Sequence, residues 1–160
     1  MKKKDKWLVE VFYRPEVVDG QAEAIKKAIE EESITSLEKV SISLLYRFSG
    51  QLDRTIVTRI AKELLVDRIS QLYRLGNPRR PGAWSVQVWY KLGVTDAAAE
   101  TTKQAIFDLG LNGPVEVATG RCYFFWGNLN KSILTSIAQR VLANALIEDF
   151  QISSPWSQKK

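Results

Sequence analysis

The 160-residue chain contains two copies of one unit. When residues 7–75 (copy 1) are aligned with residues 84–152 (copy 2) at a constant offset of 77 positions, 21 of the 69 pairs are identical and no gap is needed. Unrelated segments give roughly one identity in 15 to 20, so this self-similarity indicates a tandem duplication. Residues 63–75 and 140–152 show it well, since each reads as a helix end followed by an apolar strand.

Length and composition limit what the two copies can form. A copy of about 75 residues buries little apolar surface alone, so we expect the copies to share a core. The content of 45% hydrophobic and 26% charged residues is typical of a soluble globular protein. No uncharged apolar run approaches the ~18 residues of a membrane-spanning helix, and residues 1–6 do not resemble a signal peptide. We therefore expect a cytoplasmic protein without a membrane partner.

The net charge of +5 lies in the tails. Residues 7–158 sum to zero, because the excess comes from residues 1–6 and from the last two lysines. We expect solvated tails at 1–6 and 153–160 and no nucleic-acid partner. Cys122 is the single cysteine, which excludes an internal disulfide and fits a reducing compartment.

Each copy is predicted to fold as β-α-β-α-β. Residues 7–14 and 84–91 alternate in the pattern of a half-buried strand, and a helix follows to about residues 31 and 108. The extended runs 37–49 and 115–126 exceed the usual ~5 to 6 residues of a strand, so they are expected to bend or to cross between two sheets. A second helix and a strand, 69–75 or 146–152, complete each copy. The predicted helix N-caps are Asp19, Asp53, Asp96 and Asn130.

The predicted fold class is therefore α+β, with the two copies related by a pseudo-twofold axis. Residues 76–83 are predicted to be a linker, since the segment GNPRRPG cannot continue a helix or a strand.

Residues that commonly carry catalysis are scarce. The chain has no histidine, which removes the commonest general base and metal ligand. Cys122 is interpreted as a small core residue. Glu148 and Asp149 are adjacent on a predicted strand, so they point to opposite faces and cannot share a reaction centre. Trp89, Phe124 and Trp126 lie on the second face of their strands, and an exposed set there would mark a protein contact.

The order and spacing of several motifs resemble the PurS family, the small subunit of phosphoribosylformylglycinamidine synthase. In copy 2 these are a basic residue and a helix start at Lys91, Val94 and Asp96, then Gly120–Arg121, then LANALIEDFQI at 142–152. Copy 1 is diverged: Ser43–Leu44 replaces Gly–Arg, Asp67 replaces Asn144, and Gln71–Leu72 replaces Glu148–Asp149. The resemblance covers about 145 residues.

The resemblance implies a ferredoxin-related fold and a noncatalytic role. Family members are about half this length and pair as dimers, so a tandem copy resembles a covalent dimer, similar also to the N-terminal domain of the large single-chain synthase. The implied partners are the synthetase subunit (PurL) and the glutaminase subunit (PurQ), docked together for ammonia transfer. ATP and Mg would be used by the synthetase, with no cofactor, metal or catalytic residue in this chain. Further self-association is left open.

Four residues are predicted to face partners or to fix the seam between copies: Arg121, Asn144, Glu148 and Asp149. The alternative is structural, with Asn144 capping the C-terminus of its helix and Glu148 and Asp149 on the solvent face of a strand.

Other function classes stay open from the sequence. Ferredoxin-related repeats also build ligand-sensing regulatory modules, which a backbone-lined pocket at the seam would support. RNA binding through the segment RCYFFWGNL fits the RRM consensus poorly, because glycine is missing after Arg121 and residues 7–158 have no net charge. Catalysis by the chain itself is a third alternative, weakened by the missing base and metal ligands.

Overall fold

A computed structural model describes residues 5–34, 36–111 and 113–157. The two copies contain the same elements in the same order, and α2 and α4 each continue into a π-helical turn, Ala61–Leu65 and Ala138–Leu142. The α+β prediction is confirmed. The elements are β1 (Asp5–Tyr13), α1 (Gly20–Glu31), β2 (Leu37–Gly50), α2 (Arg54–Ile60), β3 (Gln71–Leu75), β4 (Trp84–Tyr90), α3 (Ala97–Asp108), β5 (Val115–Gly127), α4 (Lys131–Ile137) and β6 (Glu148–Ser153).

The predicted N-caps are confirmed at all four α-helices. The Asp53 carboxylate accepts a hydrogen bond from the Ile56 backbone N–H at 2.8 Å, and the Asn130 side chain does the same for Ile133 at 2.8 Å. Asp19 and Asp96 cap α1 and α3 in the same way. A cap of this kind stabilises a helix by about 0.5–2 kcal/mol, because it satisfies a backbone donor that has no partner within the helix.

The described residues form two compact units that do not coincide with the sequence copies. Unit 1 contains residues 5–17, 44–77 and 95–120, and unit 2 contains residues 18–43, 78–94 and 121–157. Strand β2 passes from unit 2 to unit 1 after Ser43, and β5 passes from unit 1 to unit 2 after Gly120. The expected crossing between two sheets is wrong, because β2 and β5 both belong to one six-stranded sheet. Their extra length instead lets each strand contribute a segment to both units.

Unit 1 has the strand order β3-β1-β2-β5. Strand β1 pairs antiparallel with both β2 and β3, and Val9 lies opposite Tyr46 on one side and Leu75 on the other. The core of this unit takes residues from both copies: Phe48 and Val57 come from copy 1, whereas Ile106 and Val115 come from copy 2.

Unit 2 has the strand order β2-β5-β4-β6, with β4 and β6 antiparallel. Its core also draws on both copies, with Ile29 and Val40 from copy 1 and Val86, Phe125 and Leu134 from copy 2. The expected sharing between copies is therefore present in each of two cores, because each unit is completed by a helix and a strand segment of the other copy.

The linker packs on the second face of β5 in unit 2. The Arg80 guanidinium lies 4.5 Å from the centre of the Phe124 ring, and Trp126 donates from Nε1 to the Pro81 carbonyl at 3.0 Å. Phe124 is fully buried, and Trp89 and Trp126 are half-buried. Trp89, Phe124 and Trp126 therefore do not form the exposed aromatic surface that would have indicated a protein contact. Cys122 is fully buried on β5, as the core interpretation predicted.

Candidate partner-binding surfaces

The turn that leads into β6 is closed by two side chains of the predicted site. The Asn144 side-chain oxygen accepts from the Leu146 N–H at 3.1 Å, and the Glu148 carboxylate accepts from the Asn144 N–H at 3.2 Å. The Glu148 N–H in turn donates to the Asn144 carbonyl at 2.8 Å. Asn144 therefore builds a turn of the Asx type, and its interpretation as a helix C-cap is wrong, since Ala143 occupies that position.

Copy 1 has the same turn with different residues, in front of β3. The Asp67 carboxylate accepts from the N–H groups of Ile69 at 2.8 Å and Ser70 at 3.1 Å, and Gln71 accepts from the Asp67 N–H at 2.8 Å. These hydrogen bonds, led by the one from Ile69, lower the pKa of Asp67 below its ordinary value because they stabilise the charged carboxylate.

The lowered pKa of Asp67 predicts that acid will break the hydrogen bond that its carboxylate accepts from the Ile69 N–H, whereas the equivalent bond that the Asn144 amide oxygen accepts from the Leu146 N–H will persist. A carboxyl with a lowered pKa in the folded state stabilises the turn above its ordinary pKa, and that contribution is lost as the pH falls through the folded value. Asn144 does not titrate in this range. Hydrogen exchange of the Ile69 amide, corrected for intrinsic rates, should therefore accelerate at acid pH more than that of Leu146. Parallel behaviour of the two amides would contradict the assignment.

Arg121 holds the end of the π-helical turn and the start of β6 together. Its guanidinium donates to the Leu142 carbonyl at 2.7 Å and to the Tyr123 hydroxyl at 2.6 Å, and it forms an ion pair with Glu148 at 2.5 Å. Burial lowers the pKa of Arg121, but the hydrogen bonds and charge interactions with Glu148 and Tyr123 outweigh it and raise the pKa above its ordinary value. Arg121 is therefore charged throughout the useful pH range.

The structure brings three of the four predicted residues together and separates the fourth. Arg121, Asn144 and Glu148 form one network, and Glu148 is only 8% exposed, so its placement on the solvent face is wrong. Asp149 is exposed and forms an ion pair with Lys91 at 3.8 Å. The expectation that neighbours on this strand point to opposite faces is confirmed.

A small open groove lies beside Asp149 in unit 2. It has a volume of about 200 Å³ and is lined by both residues of the Lys91–Asp149 ion pair, together with Gln139, Ala143, Ala145, Glu148 and Phe150. The groove therefore combines the Lys91–Asp149 ion pair with the apolar side chains of Ala143, Ala145 and Phe150.

The sequence analysis missed the exposed apolar residues beside the two turns. Ile69 is 88% exposed and Leu146 is 85% exposed, and the two occupy equivalent positions in the copies. Leu92, in the loop after β4, is fully exposed. The pattern of Asp or Asn followed four residues later by Gln or Glu, present in both copies, was the signal that could have located these turns.

Comparison with known protein families shows which family the chain belongs to. The family model PurS, described as phosphoribosylformylglycinamidine (FGAM) synthase, matches residues 6–76 and again residues 83–155. The chain belongs to the PurS family. No curated protein matches it. The family places this PurS chain in FGAM synthase, a ligase complex of purine biosynthesis, and thus among protein partners.

Two structural findings accompany this assignment. Within residues 5–34, 36–111 and 113–157, no group of three or more His, Cys, Asp or Glu side chains is placed to hold a metal ion. No helix in the same residues is both long and apolar enough to cross a membrane. The partner-facing role of Arg121, Asn144, Glu148 and Asp149 stays a prediction.

Proposed function

We propose that this PurS chain is a noncatalytic subunit or domain of FGAM synthase that docks the synthetase (PurL) to the glutaminase (PurQ). In this role it holds the two enzymes so that ammonia released from glutamine reaches formylglycinamide ribonucleotide without escaping into solvent. ATP and Mg are bound by the synthetase and not by this chain. The observation that carries the proposal is the match of the PurS family model to both copies.

The contacts of two buried or partly buried carboxylates support a structural role for this chain and not a catalytic one. Glu148 is committed to the Arg121 guanidinium and to the backbone of the turn, so it is poorly placed to exchange protons with a substrate. Asp96 caps α3 and also accepts from the Thr119 N–H at 2.7 Å and the Thr119 hydroxyl at 2.8 Å. Carboxylates that hold backbone donors in this way fix the fold and do not present a reactive group.

Reconstitution with purified partners tests the proposal. The chain is mixed with the synthetase and glutaminase subunits of the same synthase, and the mixture is analysed by size-exclusion chromatography and by glutamine-dependent FGAM formation. We expect the chain to co-elute with the other two subunits and to be required for glutamine-dependent but not ammonia-dependent product formation. We expect neither glutamine hydrolysis nor ATP use by the chain alone. Turnover by the purified chain alone, or elution apart from both subunits, would overturn the proposal.

A ligand-sensing module is the second candidate function, and a cleft in unit 2 is the feature that favours it. The cleft has a volume of about 280 Å³, and its lining includes Ile133, Ile137 and both residues of the Glu32–Arg140 ion pair at 3.1 Å. A rise in melting temperature with purine-pathway metabolites in the absence of any protein, abolished in Arg140→Ala, would favour this function.

A further inference from the structure

Each copy ends in a short segment that the sequence predicted to lie outside the folded repeats. Copy 1 ends in the linker, and copy 2 ends in residues 153–157, which were expected to belong to a solvated tail. At the offset of 77 positions the two segments correspond, since Pro78 and Arg79 align with Pro155 and Trp156. The structure brings these segments into contact in unit 2.

The backbones of the two segments are hydrogen-bonded to each other. The Gly82 N–H donates to the Trp156 carbonyl at 3.0 Å, and Pro81 and Trp156 form a parallel bridge. The pairing of β4 with β6 makes this contact possible, because Ser85 near the start of β4 lies opposite Ser153 at the end of β6. The chain that enters β4 and the chain that leaves β6 are therefore close together.

Strand β5 supplies one set of contacts to the linker. The Arg80 guanidinium lies over the buried Phe124 ring, and the Trp126 indole donates to the Pro81 carbonyl. A guanidinium over the face of an aromatic ring is attracted by the ring's negative face. These contacts hold the Arg80–Pro81 part of the linker against the second face of β5.

Trp156 supplies the other set of contacts. The Arg79 guanidinium lies 5.5 Å from the centre of the Trp156 ring, and Trp156 is only 37% exposed although it follows the last strand. The contact joins equivalent positions of the two copies. Two arginines at these positions would repel each other, whereas the divergence of the copies provides one cation and one aromatic ring, which attract.

We propose that residues 153–157 are a strap that holds the linker closed, and that Trp156 is the residue that closes it. When Trp156 leaves Arg79 and Gly82, linker residues 78–83 open locally while the rest of unit 2 stays folded. Such local openings cost much less free energy than global unfolding. The strap therefore sets how often the linker becomes accessible to a protease. The inference concerns how the duplicated chain is closed and does not depend on the proposed function.

Limited digestion of the purified full chain with trypsin tests the proposal. Trypsin can cleave after Arg79, whereas the proline that follows Arg80 protects the next bond. When cleavage is slower than reclosing, the rate of cleavage after Arg79, followed by mass spectrometry, reports the fraction of open linker. Trp156→Ala should raise this rate about tenfold, because it removes both the cation–π contact and the apolar contact of the indole. Cleavage after Arg140, an exposed residue of the same unit, is the internal reference and should change less than about twofold.

Two further variants are matched controls. Trp156→Phe keeps an aromatic ring for Arg79, so cleavage should stay within about threefold of the parent rate. Ser154→Ala changes an exposed side chain of the same segment and should alter the rate less than about twofold. Trp156 and Ser154 are both at exposed positions, so the melting temperatures of all three variants should stay near that of the parent chain.

Hydrogen exchange provides a measurement without a protease. Exchange of the Gly82 amide, which donates to the Trp156 carbonyl, should accelerate about tenfold in Trp156→Ala. The Lys91 amide, which donates to the Ile147 carbonyl elsewhere in unit 2, should keep its parent rate.

The outcomes decide whether Trp156 closes a strap. Selective acceleration after Arg79 in Trp156→Ala, with slow cleavage retained in Trp156→Phe, would support the proposal. Equal cleavage after Arg79 in the parent chain and in Trp156→Ala would overturn it, because β5 alone would then hold the linker. Parallel acceleration after Arg79 and Arg140 would also overturn it, because Trp156 would then stabilise unit 2 as a whole.

Discussion

Replacing Arg121 with leucine should lower the free energy of unfolding by about 3 kcal/mol, because the buried Glu148 carboxylate then loses its cation. The substitution also removes the donor that satisfies the Leu142 carbonyl at the end of the π-helical turn. Urea denaturation at neutral pH, followed by circular dichroism, measures the loss directly.

The chain itself supplies a matched control for this experiment. Copy 1 has Leu44 in the place of Arg121 and Gln71 in the place of Glu148, and Gln71 closes its turn without a charge. The double variant Arg121→Leu with Glu148→Gln reproduces that pair in copy 2. We expect it to recover at least half of the stability that the single variant loses. An equally unstable double variant would show that the lost hydrogen bonds of Arg121 dominate and that the buried charge does not.

Gly127→Ala should destabilise the chain by about 3 kcal/mol or more. Gly127 has a φ of +142° at the end of β5, and a Cβ added there would lie 2.1 Å from the Ser36 carbonyl oxygen. The clash is with backbone, which cannot move aside as a flexible side chain can. Thermal and urea unfolding should both report the loss, and a melting temperature close to that of the parent chain would refute the prediction.

Two other glycines are controls for the effect of Gly127. Gly20, at the start of α1, has no atom within 4 Å of an added Cβ, and copy 2 already has Ala97 at this position. Gly20→Ala should therefore be neutral or stabilising by up to about 1 kcal/mol, since alanine loses less backbone freedom on folding. Gly50→Ala should be intermediate, because the added Cβ lies 2.8 Å from the Pro114 carbonyl oxygen and φ is +156°.

The sequence predicted the local structure well where one residue decides it. Asp53 and Asn130 cap their helices as expected, because a side-chain oxygen just before a helix can accept a hydrogen bond from a backbone N–H of the first turn. The final strands were predicted to begin at residues 69 and 146, but they begin at Gln71 and Glu148. The shift arises because Ile69 and Leu146 belong to closed turns, and apolar character alone does not separate an exposed turn residue from a strand.

The exchange of elements between copies could not be predicted from the repeat. The repeat at an offset of 77 positions predicts that the two copies fold alike, but it does not predict which helix covers which segment of the sheet. The apolar stripes of α1 and α3 are narrow and contribute Ile29 and Ile106 at equivalent positions, so either unit could accept either helix. The placement follows the passage of β2 and β5 from one unit to the other, which depends on pairing between residues distant in sequence.

The candidate site was predicted in part. Periodicity correctly separated Glu148 from Asp149, because alternate strand residues face opposite sides. It could not show that Glu148 is the buried member, since that depends on Arg121, which lies 27 positions earlier and reaches it through the fold. The exposure of Ile69 and Leu146 was missed for the opposite reason, because these residues resemble core residues in sequence and only the closed turns expose them.

The mixed make-up of the two units has a consequence for fragments of the chain. A half-chain released by cleavage within residues 76–82 would retain its strands but would lack the helix and strand segment that complete each interior. Such a fragment could complete its core only by pairing with a second fragment, at a rate and to an extent set by dilution. Covalent fusion removes that dependence, so the assembled form persists however scarce the protein becomes in the cell.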